Sequence, residues 1–306
     1  MWGKLVRRPA VVPTRRERWD TPDGDVVEIE RLDAPPDRPR LVLLHGLEGT
    51  VRSHYAQGTL GEAQRRGWGA DMLLFRSCGG TLNRARRFYH SGETGDLALV
   101  IDRIIREYPT APIVLAGYSL GGNVLLKYLG ERGADTPPAI KAAAAVSVPF
   151  DLARGARHID RGFARVYQAN FIRSLKRKAY AKLLQYPDLV DRARLDAARS
   201  IYEFDDAVTA PVHGFGSADE YYTQSSAIHF LRGIRRPPTL LLSAIDDPFL
   251  PPAVLDEVRT EARTTPALTV EFVEHGGHVG FISGTVPWRP VYYAEKRVAD
   301  FLDSYV

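Results

Sequence analysis

Cysteine is nearly absent from this 306-residue chain, which has Cys78 alone. One thiol excludes an internal disulfide framework and a cysteine-based metal cage; it fits a reducing compartment, so a cytoplasmic location is expected. Long apolar runs are missing too. No stretch approaches the roughly 18 residues that a membrane span needs. The opening segment MWGKLVRRPAVVPTRRER lacks the apolar core of a secretory signal. There is no internal repeat and no low-complexity tract, which excludes solenoid and collagen-like chains. Histidines at metal-ligand spacing are absent among His54, His90, His158, His213 and His229. Neither a metal nor a cofactor is expected.

A dominant charge of one sign is also lacking. The net charge is only +4, and it is unevenly spread. Residues 1–18 carry six Lys/Arg against one Glu, and residues 151–200 carry twelve against five Asp, so the remainder is net −8. Two basic segments on an acidic body do not make a nucleic-acid-binding surface, and no nucleic-acid fold motif accompanies them. The second segment reads as a solvated helical face. The alternative is a surface that attracts anionic acyl substrates or touches a membrane interface peripherally. Nothing in the sequence specifies an oligomeric state.

What is present is an alternation of short β-rich runs and helical stretches. Leu41–His45, Ala70–Phe75, Pro112–Gly117, Ala142–Pro149, Thr239–Ala244 and Leu268–Glu274 read as buried strands. Tyr55–Arg66, Gly95–Glu107, Ser119–Gly130, Val254–Ala262 and Tyr292–Tyr305 read as helices. Continuous apolar runs predict strands covered on both faces, hence a mostly parallel sheet with crossover helices. Glu17–Asp33 predicts a solvent-edged antiparallel hairpin turning at Pro22-Asp23-Gly24. From Asp151 to Arg236 the alternation stops and the pattern is helical. The expected organisation is a basic arm (1–18), an α/β core (19–150 and 237–306) and a helical lid inserted at 151–236.

Chemistry is signalled most strongly by Gly117-Tyr118-Ser119-Leu120-Gly121, between a strand and a helix. Glycines on both sides permit a turn sharp enough to project the Ser119 hydroxyl above the sheet, at a helix N-terminus. A serine needs a base and an orienting acid, expected after later strands. Asp246-Asp247 follows Thr239–Ala244, and Asp247 has the x-x-x-Pro spacing to Pro251, so Asp247 is chosen and Asp246 is its rival. His275-Gly-Gly-His278 follows Leu268–Glu274, where the glycines let His278 reach back over Ser119. His275 is expected to make structural hydrogen bonds. After Leu41–Leu44, His45-Gly46 turns the Leu47 N–H toward the nucleophile, where with the Leu120 N–H it forms an oxyanion hole. His45 itself is read as structural.

Further strings carry a family likeness: Phe75-Arg-Ser-Cys-Gly-Gly80, Asn83-Arg84, Tyr89-His-Ser-Gly-Glu-Thr-Gly-Asp96, Phe204-Asp205-Asp206, Thr209 to Asp219, and Tyr221-Tyr222. They resemble the YheT-like branch of the α/β-hydrolases, which also contains vertebrate abhydrolase-domain lipases and yeast medium-chain acyltransferases. The resemblance runs from about Val26 to the C-terminus. It implies an α/β-hydrolase fold with a helical lid, acting on carboxylic esters of short or medium acyl chain. Carried over, the triad falls on Ser119, Asp247 and His278. The family's longer N-terminal arm has no counterpart in this sequence.

The expected function is therefore a serine carboxylesterase acting on a small-molecule ester or acyl substrate through an acyl-enzyme. Transfer of the acyl group to an alcohol is the alternative; an idle, ligand-binding hydrolase fold is the alternative of another class. Three finer expectations accompany it. Ser91 caps a helix that has Glu93 in its first turn. Phe163, Tyr167, Phe171 and Tyr180 are lid aromatics that either line an acyl pocket or pack among themselves. Cys78 has no base partner.

Overall fold

A computed structural model of the chain describes residues 11–162, 164–283 and 291–306. Eight strands form one sheet: β1 (Arg15–Asp20), β2 (Val26–Leu32), β3 (Arg40–Leu44), β4 (Gly69–Leu74), β5 (Ile113–Tyr118), β6 (Ile140–Val146), β7 (Thr239–Ala244) and β8 (Leu268–Val273). Their spatial order is β1-β2-β4-β3-β5-β6-β7-β8. β2 is antiparallel to both neighbours and the other pairings are parallel. The main helices are α1 (His54–Arg65), α2 (Gly95–Glu107), α3 (Leu120–Arg132), α4 (Leu152–Ile159), α5 (Ala164–Gln185), α6 (Arg192–Ala197), α7 (Ile201–Phe204), α8 (Ala218–Ser225), α9 (Pro252–Arg263) and α10 (Tyr293–Asp303).

The apolar runs are continuous because both faces of the sheet are covered. Along β3, Val42 and Leu44 enter one core while Leu41 and Leu43 enter the other. The first core takes Leu97 and Ile101 of α2, Val124 of α3 and Val258 of α9; the second takes Leu60 of α1 and Val298 of α10. Helices on both faces of a mostly parallel sheet are the architecture expected from the sequence.

Two expectations shift. The solvent edge belongs to β1 alone, because β2 also pairs with β4. Glu28, Glu30 and Arg31 of β2 are consequently buried, opposite Arg18, Arg16 and Asp71. The basic arm also ends earlier than residue 18: Arg15, Arg16 and Arg18 lie in β1 and pair with Asp33, Glu30 and Glu28. Residues 1–10 of that arm lie outside the described residues.

Between β6 and β7 the described residues form helices and turns, with no strand. α7 runs through a π turn, Asp205–Thr209, into the helical turn Ala210–Val212. This segment has apolar clusters of its own, one around Ile172, Leu195, Phe204 and Val208, the other around Leu152, Ala210, Tyr221 and Tyr222.

Candidate active site

Ser119 stands between β5 and α3 with φ 53° and ψ −120°, a conformation that costs a non-glycine residue about 1–3 kcal/mol. The turn closes only because its neighbours lack side chains. A Cβ on Gly117 would lie 2.5 Å from the Gly121 carbonyl oxygen, and one on Gly121 would lie 2.6 Å from that of His45. The strain lifts the Ser119 hydroxyl off the sheet and sets it at the start of α3.

The loops after β7 and β8 bring two further side chains to it. The Ser119 hydroxyl donates to His278 Nε2 at 3.0 Å, and His278 Nδ1–H donates to Asp247 Oδ2 at 2.8 Å. The other Asp247 oxygen accepts the Phe249 N–H at 2.9 Å, and the side chain is fully buried. The Phe249 ring packs 4.2 Å from the imidazole, centroid to centroid. Asp246 turns the other way. Its Oδ1 accepts the N–H groups of Gly276 and Gly277 at 2.9 and 2.8 Å, so it braces the loop that carries His278. His275 is largely exposed, 3.4 Å from Asp246. The far side of the loop is held by Ser147 Oγ, which accepts the Val279 N–H at 3.2 Å, and by His54, whose Nε2 lies 3.0 Å from the Val279 carbonyl.

Leu47 and Leu120 line the same cavity as Ser119 and His278. Leu120 is the first residue of α3, so its N–H has no partner within the helix. Among the described residues neither the Leu47 nor the Leu120 N–H has a hydrogen-bond acceptor. The Leu47 peptide is fixed from behind. His45 Nδ1–H donates to the Gly46 carbonyl at 2.7 Å, and the Gly49 N–H reaches that oxygen at 2.9 Å. Across a trans peptide, a tethered Gly46 oxygen aims the Leu47 N–H in the opposite direction. His45 Nε2 accepts the Phe75 N–H at 3.0 Å, and burial pushes this histidine down to about 4, so it stays neutral with both nitrogens engaged.

Sequence reasoning missed what holds the next residue. Glu48 has φ 56°, and its carboxylate accepts from Tyr89 Oη at 2.9 Å, Ser174 Oγ at 2.5 Å and Lys178 Nζ at 2.6 Å. Its N–H donates to Tyr89 Oη at 2.9 Å. Lys178, a cation paired with Glu48 and not a base, also donates to Cys78 Sγ at 3.3 Å, and burial pushes that thiol up to about 11. The only advance signal was the Tyr89 motif; nothing local marks Ser174 or Lys178.

The cavity measures about 150 Å³. Of the four aromatic residues singled out in 151–200, Phe171 lines it, whereas Tyr167 packs on Phe249 and Tyr180 donates to Asp196 on the outer surface. Phe163 lies outside the described residues. Ser91 is not a helix cap. α2 begins at Gly95 with Thr94 before it, while the Ser91 N–H donates to Tyr221 Oη and its carbonyl accepts from Asn123. Tyr89, His90 and Ser91 all line the cavity, so this motif both pins a loop and forms wall. Among the described residues no group of His, Cys, Asp and Glu is placed to hold a metal ion, and no helix is long and apolar enough to cross a membrane.

Comparison with known proteins bears on this geometry. Residues 39–285 match the family model described as the alpha/beta hydrolase fold. An Escherichia coli (strain K12) protein named "Putative esterase YheT" is 41% identical over 311 residues, covering 100% of this chain and 89% of that protein. Mouse Phospholipase ABHD3 is 28% identical, covering 99% of this chain and 76% of its own. The yeast Monoacylglycerol lipase of Saccharomyces cerevisiae is 29% identical over 92% of this chain and 62% of that protein. Among solved structures, the Pyrococcus furiosus esterase Pf2001 superposes with a TM-score of 0.60 at 14% identity, over 96% of this chain and 93% of that one. That likeness concerns the fold. The chain belongs to the alpha/beta hydrolase family, in its YheT-like branch.

Proposed function

We propose that the protein is a serine carboxylesterase that cleaves short- to medium-chain carboxylic esters through an acyl-enzyme intermediate. One observation carries the reading: a continuous relay from Ser119 to His278 to Asp247, with contacts of 3.0 and 2.8 Å, opening on a largely apolar cavity. Ser119 attacks the ester carbonyl while His278 Nε2 takes its proton. Asp247 holds the Nδ1–H tautomer and stabilises the imidazolium. The Leu47 and Leu120 N–H groups receive the oxyanion. The alcohol leaves with the proton from His278, and the same base then activates water to release the acid.

The names of the esterase and lipase relatives support the reading. So does the cavity size, since about 150 Å³ is the volume of an engineered apolar cavity that holds benzene, which suits a short acyl chain. In this reading residues 151–236 form a lid over a core of 15–150 and 237–306, no cofactor takes part, and the enzyme works in the cytoplasm. Ser119→Ala is expected to lower p-nitrophenyl butyrate turnover by ~10⁴-fold or more and to abolish labelling by a fluorophosphonate probe. Turnover or labelling that persists in that variant refutes the mechanism.

A further inference from the structure

Two motifs that the relay leaves unused meet in the cavity wall. Tyr89–Asp96 and Phe204–Tyr222 are far apart in the chain, yet His90, Asp205, Thr209, His213, Tyr221 and Tyr222 all line the cavity. The π turn Asp205–Thr209 brings its first and last side chains together, and such turns are frequent at functional sites.

The bonds inside this cluster leave particular atoms over. Thr209 O–H donates to Asp205 Oδ1 at 2.6 Å and Tyr222 O–H to Oδ2 at 2.7 Å, which ties the carboxylate into the wall. Tyr221 Oη accepts the Ser91 N–H at 2.9 Å and is also engaged by the Ser91 side chain. His90 Nδ1 accepts the Gly92 N–H at 3.1 Å, which places the ring proton on Nε2. The His213 ring stands 4.5 Å from that of His90, and its Nε2 is sealed from solvent without a hydrogen-bond partner among the described residues. Burial pushes His90 down to about 3 and His213 to about 2, so both are neutral at pH 7.

Left-over polar atoms in a buried wall are satisfied by the polar atom of an incoming ligand. Two neutral imidazoles offer no charge of their own to an anion, and the cations nearest them are already paired, Lys127 with Glu131, Arg87 with Asp23 and Glu93, and Arg76 with Asp25 and Asp96. A cation meets a carboxylate whose two oxygens already hold hydroxyls. A hydroxyl group fits: it accepts from His90 Nε2–H and donates to the open His213 nitrogen. We infer that His90 and His213, in a wall completed by Tyr221 and Asp205, form a subsite that selects esters bearing a free hydroxyl group, on the acyl chain or on the alcohol. This rests on the esterase reading above and defines the substrate class of that site.

Two matched pairs separate the sources of the hydroxyl. p-Nitrophenyl 3-hydroxybutyrate against p-nitrophenyl butyrate tests the acyl side, and 2-hydroxyethyl butyrate against ethyl butyrate tests the alcohol side. In at least one pair the hydroxylated ester is expected to have about 10-fold or more the kcat/KM of its partner. In His213→Phe and His90→Phe that ratio falls toward one, whatever happens to the absolute rates. Equal kcat/KM in both pairs, or a ratio unmoved in both variants, overturns the inference. Titrating the same four esters into the Ser119→Ala protein reads binding without chemistry. Tighter binding of a hydroxylated member supports the subsite even where the wild type cleaves neither ester, an outcome that refutes the esterase reading alone. Equal binding overturns the subsite.

Discussion

Asp246 and Asp247 are adjacent, acidic and within reach of the same loop, yet they do opposite work. Asp247 is buried and takes the imidazole proton side, while Asp246 faces the backbone of Gly276 and Gly277. Asp247→Asn keeps the shape but favours the wrong imidazole tautomer, so kcat for a p-nitrophenyl ester is expected to fall by ~10⁴-fold, as in the serine protease series. Asp246→Ala removes only a brace, and a displaced His278 costs no more than about 10²-fold. Steady-state kinetics on the two variants settles the order; a greater loss in Asp246→Ala would mean that the acid is misassigned. The spacing to Pro251 pointed to Asp247 in the sequence because loop geometry after a strand is local. Ser174 and Lys178 carried no such mark. They reach Glu48 only through the placement of α5 across the cavity, which no nearby residue encodes.

At the level of elements, the connection from β4 to α2 explains much of the family-like string Phe75–Asp96. Arg76 is fully buried among three carboxylates: Asp96 at 2.7 Å, Asp25 at 2.7 Å and Asp23 at 2.8 Å. Asp25 also accepts from Asn83 Nδ2 at 2.6 Å and the Arg84 N–H at 2.6 Å. The guanidinium therefore ties the β1–β2 turn, the long loop and the first turn of α2 into one body. Arg76→Met leaves buried carboxylates without their counter-charge and is expected to cost about 3–5 kcal/mol of unfolding free energy in urea titration. A change below about 1 kcal/mol would show that the network is solvated and dispensable. α2 itself was legible, because Gly95–Glu107 carries a helical apolar stripe that needs no partner to be seen. The cap was not. Ser91 has the right chemistry for one, but its amide and side chain are both engaged by Tyr221, brought by α8, and the helix starts at Gly95.

On the scale of the molecule, the basic excess in residues 151–200 is partly cancelled in space: Arg154 pairs with Asp151 and Glu257, Lys178 with Glu48, and Arg194 with Asp206. His45 in the core and the half-buried His90 and His213 take no part in this pairing. Burial holds His45 at about 4, His90 at about 3 and His213 at about 2, all below the ordinary 6.5. Below pH 6.5 the unfolded chain takes up these protons and the folded chain does not, so their contribution is complete above pH 6.5 and is lost as pH falls. Each costs about 1.4 kcal/mol per pH unit well below 6.5. Asp205 acts in the opposite sense. Burial raises its carboxyl to about 6, so between pH 6 and its unfolded value near 3.8 the folded state binds the extra proton and gains stability on acidification. Three protons against one leave a net loss of about 4 kcal/mol between pH 7 and pH 5. Denaturant unfolding followed over that range should show this fall, and His213→Phe should flatten it by about 2 kcal/mol. A wild-type stability that is level from pH 7 to 5 would mean that these imidazoles titrate freely, and that the cavity wall is open to water.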